Sequence, residues 1–290
     1  MFHSCLICTD FTDGLYRLVD FVPSLAASGM KKIVFTHSVP LWEEGGIPRI
    51  DQEAIEKAQN RLQGRLKDVP SGVNVQFDVP SGRPLDTIPQ TAKKHQADVI
   101  ITGMPVRNLL EEKLFGSTTT GLAKACNRPL MILRPELVST YTCEELELRC
   151  QHLFRYLLLP YNDSHASKYL IGKVKEYAQN RPDDSLQECL LMWVVDEGGR
   201  REIPKDYQLQ EAQEKLAPIQ ADLEQQGLQV CTEVCLGNPL TEILDAALEY
   251  DISAIAVSSD NLGKLIAARS FAGELFRRSW HPILFFPSSK

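Results

Sequence analysis

The sequence predicts an α/β protein made of two tandem, doubly wound, five-stranded parallel-sheet domains. A length of 290 residues suits two domains of ordinary size. Short apolar runs alternate with amphipathic helical segments, which is typical of parallel βαβ units. The order of these elements also repeats after about 155 residues. One large α/β domain whose halves resemble each other by chance is the alternative.

Each half contains five apolar runs that read as strands. In the first half they lie near residues 6–8, 32–39, 73–79, 99–102 and 129–133. In the second half they lie near residues 158–160, 190–195, 229–235, 254–257 and 282–286. Apolar residues spaced three and four apart predict helices over 55–66 and 209–223, and we expect a kink or a break in the second of these at Pro218.

The stretch between the halves is polar and ends in a short helical signal. Thr142 and Glu145 have the spacing of a capping box, which predicts a linker helix. We therefore expect an N-terminal domain over 1–138, a linker over 139–152 and a C-terminal domain over 153–290.

Composition excludes several classes of function. The formal charge of −7 disfavours nonspecific binding to nucleic acid or to anionic membranes. No apolar run is long enough to span a bilayer, and the first ten residues lack the segments of a signal peptide, so we expect a cytoplasmic protein. The eight cysteines are expected to be reduced. Cys5 and Cys8 form a C-x-x-C inside a strand, where residues three apart face opposite ways, but a redox sensor remains an alternative.

Two segments of the first half carry groups suited to an anionic ligand. Ligands of open parallel sheets bind beyond the carboxyl ends of the strands. Asp10 follows the first strand, where a carboxylate can accept from a ribose hydroxyl or contact Mg²⁺. The run from Gly116 to Thr119 combines a close backbone approach with the start of a helix and with hydroxyl donors, which suits phosphate. A simple helix N-cap is the competing interpretation.

Two common nucleotide motifs are absent from the sequence. Leu122 stands where a Walker A motif requires lysine, and no G-x-G-x-x-G occurs.

Several motifs together resemble the universal stress protein family, here as a tandem of two domains, which implies that each domain is Rossmann-like and adenine nucleotide alpha hydrolase-like. The first strand ends in Thr9-Asp10-Phe11-Thr12, the second ends in Thr36-His37-Ser38-Val39, and a G-x-P turn follows at Gly82. ATP-binding members of the family carry the loop G-2x-G-9x-G-[ST]. This chain has Gly103 and Gly116-Ser117 at the right spacing, with Val106 in place of the middle glycine.

The resemblance implies that the first domain binds ATP, ADP or AMP, with Mg²⁺ near Asp10. The residues implied to contact the nucleotide are Cys8, Thr9 and Asp10 beside the adenosine, Ser38 against the base, Thr102 and Gly103 beneath the nucleotide, Val106 and Arg107 on the loop, and Gly116, Ser117, Thr118 and Thr119 at the phosphates.

The second domain departs from this pattern. Asn162 replaces the acidic residue, Ser258 and Asn261 replace two glycines, and Arg269-Ser270 replaces the Gly-Ser pair. We expect this domain to be a degenerate structural or regulatory partner. The resemblance also implies that the last strands of the two domains pair, which would form an internal pseudo-dimer and leave a further homodimer open.

These observations predict a stress-response protein that binds an adenine nucleotide. No general base is placed for hydrolysis, so we expect no enzyme activity beyond slow ATP hydrolysis. The alternative is an interaction or scaffold module that binds no nucleotide and acts through partner proteins or another small ligand.

Overall fold

The computed structural model describes residues 1–12, 14–44, 47–103, 117–183, 185–198, 203–259 and 270–287. Contacts divide the chain into two compact units, one covering Phe2–Gln151 and the other covering Met1 with His152–Lys290. The predicted domain limits and the linker over 139–152 stay predictions. None of the helices in these described stretches is both long and apolar enough to cross a membrane.

The first unit is built on a parallel sheet with the order β7-β6-β1-β2-β5. Its strands are β1 (Ser4–Cys8), β2 (Lys32–Thr36), β5 (Asn74–Asp78), β6 (Val99–Gly103) and β7 (Leu130–Leu133). After β1, the strands β2 and β5 are added on one side, and β6 and β7 are then added on the other side. The order of the strands therefore reverses between β1 and β6, which is the switch point of this sheet.

A separate antiparallel hairpin of β3 (Trp42–Glu44) and β4 (Ile47–Arg49) was not predicted. The helical elements of the unit are a 3-10 helix (Leu15–Phe21), α1 (Val22–Ala27), α2 (Gln52–Gln63), α3 (Pro84–Lys94), α4 (Ser117–Ala125), α5 (Pro135–Thr140) and α6 (Cys143–Gln151).

The helix α6 starts at the predicted capping box. The Thr142 backbone N–H donates to Glu145 Oε2 at 2.8 Å, and the Glu145 backbone N–H donates to Thr142 Oγ1 at 3.3 Å. This reciprocal pair satisfies two backbone donors that the helix itself cannot use. The helix that the capping box predicts is confirmed.

The second unit repeats the parallel architecture with the order β10-β9-β8-β11-β12. Its strands are β8 (Tyr156–Pro160), β9 (Glu188–Asp196), β10 (Gln229–Gly237), β11 (Ala254–Ser259) and β12 (Ile283–Pro287). Its helices are α7 (His165–Gln179), α8 (Lys205–Glu224), α9 (Pro239–Glu249) and α10 (Phe271–Arg278). The fold class predicted from the sequence is confirmed.

The helix α8 continues through Pro218, so a break there is wrong, whereas a kink stays a prediction. A proline inside a helix removes one backbone hydrogen bond and strains the preceding turn. Ala212 and Leu216 before the proline and Leu223 after it are all buried, and α8 packs on both β9 and β10. Burial of apolar surface on both sides of Pro218 therefore holds the two segments in one helix.

The repeat extends to the backbone conformation. Phe11 and Asp163 occupy corresponding positions after β1 and β8, and both have positive φ, 68° and 61°. Gln96 and Asp251 correspond in the same way, with φ of 54° and 51°. Such conformations are uncommon for residues other than glycine. Their recurrence at matching positions indicates that the two units share local geometry as well as the order of their elements.

Five of the eight cysteines are buried, namely Cys5, Cys8, Cys126, Cys150 and Cys189. Burial raises the pKa of Cys5 above its ordinary value and raises that of Cys150 to about 12. Such thiols hold little thiolate at neutral pH, and the thiolate is the reactive form. These features argue against the redox alternative for Cys5 and Cys8.

We expect Ellman's reagent to modify the native protein quickly at Cys143 and Cys231, the two exposed thiols, and all eight thiols after unfolding in guanidinium. Serine at both exposed positions should remove the fast phase, whereas Cys8→Ser should leave it intact. A fast phase that disappears in Cys8→Ser would favour the redox interpretation.

Asp78, at the end of β5, contacts Lys94, the last residue of α3, and His95, which follows it. Lys94 Nζ and His95 Nε2 each lie 2.7 Å from Asp78 Oδ2. Partial burial would raise the pKa of Asp78, but the hydrogen bonds from Lys94 and His95 outweigh it and hold the pKa below its ordinary value. This contribution to stability is present above the unfolded-state pKa and is lost as the pH falls through the lower folded-state pKa.

We expect Asp78→Asn to lower the free energy of unfolding by about 1.5–3 kcal/mol at pH 7, the usual range for hydrogen bonds to charged groups. The difference from the wild type should shrink between about pH 4 and pH 2, where the carboxylate gains its proton. Urea unfolding at several pH values measures it, with the exposed Asp68→Asn as control. A difference that stays constant down to pH 2 would contradict this account.

Candidate functional site

The candidate site lies where β1 and β6 end side by side. The two strands are parallel neighbours with Cys5 opposite Val99 and Ile7 opposite Ile101. The residues that follow β1 therefore meet the end of β6 at Gly103. Of the predicted contact residues here, Cys8, Thr9 and Thr102 are buried, each 6% exposed, and Asp10 is exposed at the rim.

A tight turn fixes the carboxylate of Asp10. Asp10 Oδ1 accepts from the backbone N–H of Thr12 at 2.8 Å and from Thr12 Oγ1 at 2.7 Å. Thr9 Oγ1 accepts from the backbone N–H of Phe11 at 3.0 Å. These side-chain bonds to the backbone are those of Asx and ST turns, and they support the positive φ of Phe11. Asp10 is thus an oriented acceptor at the sheet edge.

The second unit keeps this turn but not its charge. The backbone N–H of Ser164 donates to Asn162 Oδ1 at 3.3 Å, as that of Thr12 does to Asp10. An amide oxygen can hold the turn as well as a carboxylate oxygen, but the amide carries no negative charge. The turn therefore has the same hydrogen bond in both units, although the second unit lacks the carboxylate.

An aromatic and cationic cluster borders the turn. The ring centroids of Phe11 and His37 lie 4.5 Å apart, and His37 Nδ1 lies 2.8 Å from the carbonyl oxygen of Thr9. The guanidinium of Arg61, on α2, lies 4.3 Å from the centre of the Phe11 ring. His37 therefore packs against the turn that holds Asp10. The sequence analysis did not select Phe11 or Arg61 as members of this cluster. Arg61 carries no sequence signal for such a contact, because it lies on an exposed helix face about 50 residues after Phe11.

Two hydroxyls mark the end of β2. Ser38 Oγ lies 2.7 Å from Thr87 Oγ1, so the predicted base contact already shares a hydrogen bond within the protein. Thr36 is 1% exposed, and its Oγ1 has no hydrogen-bond partner within the described part of the chain. Thr36 lies directly opposite Cys8 in the register of β1 and β2. It is a polar group beside the site that the sequence analysis did not select.

The start of α4 is tied to the end of β6. Thr119 is 4% exposed, and its Oγ1 donates to the carbonyl oxygen of Gly103 at 3.3 Å. The first amides of a helix have no partner within it and carry partial positive charge. The hydroxyl of Thr119 therefore anchors the start of α4 to the end of β6, a central strand. The free amides at this helix start are able to bind an anion.

The remaining predicted residues are described in part or not at all. Ser117 and Thr118 belong to the first turn of α4, but their side chains lie outside the described part of the structure. Val106, Arg107 and Gly116 of the first half, and Asn261 and Arg269 of the second, fall outside the described residues altogether.

The described groups of this site suit binding better than acid–base catalysis. Asp10 is an anchored acceptor, and α4 offers amide donors. Among the described residues no group of three His, Cys, Asp or Glu side chains is placed to hold a metal ion by itself. A cation here would need oxygen atoms from a ligand as well as from Asp10.

Comparisons with known proteins agree with this geometry. Residues 1–134 match the universal stress protein family. A universal stress protein from Archaeoglobus fulgidus shares 16% identity, covers 98% of this chain and 98% of its own, and superimposes with a TM-score of 0.63. A protein from Pseudomonas aeruginosa shares 12% identity, covers 98% and 93%, and gives a TM-score of 0.56. No curated protein matches the sequence.

At such identities the solved structures establish the fold. The chain is similar to the universal stress protein family over residues 1–134, and the Rossmann-like α/β fold extends over both of its halves.

Proposed function

We propose that the first half binds an adenine nucleotide, ATP, ADP or AMP, and that the protein acts through this binding in the response to stress. The observation that carries the proposal is the meeting of Asp10 and Gly103 at the switch point, with the start of α4 bonded to Gly103 through Thr119. An anchored carboxylate and a helix N-terminus are the two devices that recognise a ribose and a phosphate group.

The carboxylate of Asp10 would accept from a ribose hydroxyl, as acidic residues do in related sheets. Cys8 and Thr9 would contact the adenosine from one side, and Ser38 would contact the base. The backbone of Thr102 would lie beneath the nucleotide.

The phosphates would lie at the first turn of α4, bound by the amides of Ser117, Thr118 and Thr119 and by the hydroxyls of Ser117 and Thr118. In the same proposal, Gly116 would contact the phosphates, and Val106 and Arg107 would lie on the loop beside them. Mg²⁺ is usually held by one or two carboxylates together with phosphate oxygens and waters. Asp10 supplies one such carboxylate, so the residues present fit a cation that arrives with the nucleotide.

The roles of the second half remain proposals of the same kind. A structural or regulatory domain, an internal pseudo-dimer formed by the terminal strands, and a cytoplasmic location are all consistent with the family.

An interaction module that binds no nucleotide is the second candidate, and the hairpin of β3 and β4 favours it. Trp42 is 52% exposed, Ile47 is 62% exposed and the adjoining Ile50 is 64% exposed, which is unusual for large apolar side chains. Mass spectrometry of small molecules retained through native purification separates the two candidates. A co-purified adenine nucleotide supports the first, and its absence together with no binding at millimolar ATP supports the second.

We expect Asp10→Asn to weaken ATP binding at least tenfold in calorimetry, because a hydrogen bond to a charged acceptor contributes about 1.5–3 kcal/mol. Asp68→Asn is the matched control, since it removes the same charge from an exposed loop that precedes β5 at the opposite edge of the sheet. Equal affinities in the wild type and in Asp10→Asn would contradict the assignment of Asp10.

We expect Thr119→Val to weaken ATP binding about fivefold, because the start of α4 loses its bond to Gly103. Thr119→Ser keeps the hydroxyl and should bind as the wild type does. If serine and valine weaken binding equally, the loss comes from packing and not from this hydrogen bond.

A further inference from the structure

The second half contains a cavity of 810 Å³ at the carboxyl ends of its central strands. Pro160 at the end of β8 and Val257 and Ser258 near the end of β11 line its floor. Sites for small organic molecules usually enclose about 300–1,000 Å³. The cavity is therefore large enough for a ligand, although the sequence predicts a degenerate domain here.

Most of the cavity wall is apolar. The aliphatic and aromatic side chains that line it come from three helices and from β9, and they include Leu170, Met192, Val194, Leu240, Ile243 and Phe271. Contact with such a wall removes apolar ligand surface from water, at about 25 cal/mol per Å². The wall favours a ligand with a hydrocarbon body.

Three helices begin at the cavity. Their N-cap residues, Ser164 of α7, Asn238 of α9 and Ser270 of α10, all belong to its lining. Each cap accepts a backbone N–H of its own helix, at 3.3 Å, 3.0 Å and 3.1 Å respectively. The N-terminal end of a helix carries partial positive charge, so three of them favour a negative group in the space between them.

The helix α10 contributes two charged side chains to the cavity lining, Glu274 and Arg278. Phe271, Glu274 and Arg278 recur at helical spacing and line the cavity along one face of the helix. Glu274 pairs with Arg277, which neutralises its charge. Arg278 belongs to the lining of the cavity and makes no ion pair with any described residue.

One more polar group of the lining is unused. Ser258 Oγ is buried and has no hydrogen-bond partner within the described part of the chain. A buried hydroxyl without a partner costs about 1–3 kcal/mol, and a ligand oxygen in the cavity would remove that cost. Ser258 is therefore a polar contact that a ligand can complete.

The same lining disfavours a nucleoside triphosphate. Asn162 provides no carboxylate for a ribose, and Arg278 is a single cation facing what would be several phosphate charges. We propose that this cavity binds a small organic anion that has an apolar body and one carboxylate. The ligand differs in class from the nucleotide of the first half, and the proposal does not depend on that site.

Octanoate and 1-octanol test the proposal, because they share a hydrocarbon chain and differ in the charge of the head group. With the full chain, calorimetry should show one octanoate bound per chain. Arg278→Met should weaken octanoate binding at least tenfold and leave octanol binding within twofold. Lys173→Met removes a cation of the same half that pairs with Glu176 and does not belong to the described lining, and it should leave both within twofold.

Ala166→Phe adds a ring at the start of α7, where Ala166 lines the cavity, and should abolish binding of both probes. Asp10→Asn should leave octanoate binding unchanged, which separates this site from the nucleotide site. The proposal is overturned if octanoate does not bind, if Arg278→Met weakens octanoate and octanol equally, or if millimolar ATP displaces octanoate from Asp10→Asn. Circular dichroism confirms that each variant is folded, and if Ala166→Phe is not, the Arg278→Met comparison decides.

Discussion

Parallel hydrogen bonding on both sides of β1 is the constraint on which the candidate site of the first half depends. Residues of β1 pair with β2 on one side and with β6 on the other, and Leu6 and Ile7 are fully buried. Parallel strands must be joined by crossovers, so every strand delivers its carboxyl end to the same edge. Asp10 and Gly103 are distant in sequence and become neighbours for this reason alone. Neither the turn at Asp10 nor the anchor at Thr119 would form a site without that register.

The same backbone constraint acts in both halves, while the chemistry at the strand ends differs. Phe11 and Asp163 share a left-handed conformation, and the turn before each is closed by the side chain at Asp10 or Asn162. An amide and a carboxylate serve the turn equally but present different electrostatics to a ligand. Asn162 thus keeps the turn that Asp10 makes and lacks its negative charge, and this difference is the basis for proposing sites of different class on one fold.

Features encoded by local patterns could be predicted from the sequence. The alternation of apolar runs and helical segments indicates the parallel architecture, and Thr142 with Glu145 indicates the start of α6, because both signals act over a few residues. Features that arise from tertiary contacts could not be predicted. The cation of Arg61 meets Phe11 across a long sequence separation, α8 passes Pro218 because burial outweighs a local penalty, and the hairpin containing Trp42 buries too little of its side chains to show a strand pattern.

The net charge of −7 does not by itself prevent the binding of anions at these two sites. Charges on the outer surface act over a Debye length of about 8 Å at physiological ionic strength, so a distant excess of carboxylates is largely screened at a helix N-terminus. Helix amides act on a bound anion at hydrogen-bond distance, which is much shorter than the Debye length. An acidic chain can therefore hold anions, provided that its positive groups converge locally. In the first half these groups are the amides of α4, whereas in the second they are three helix starts and Arg278, which forms no ion pair with a described residue, and this difference in local charge is what separates the two proposed ligands.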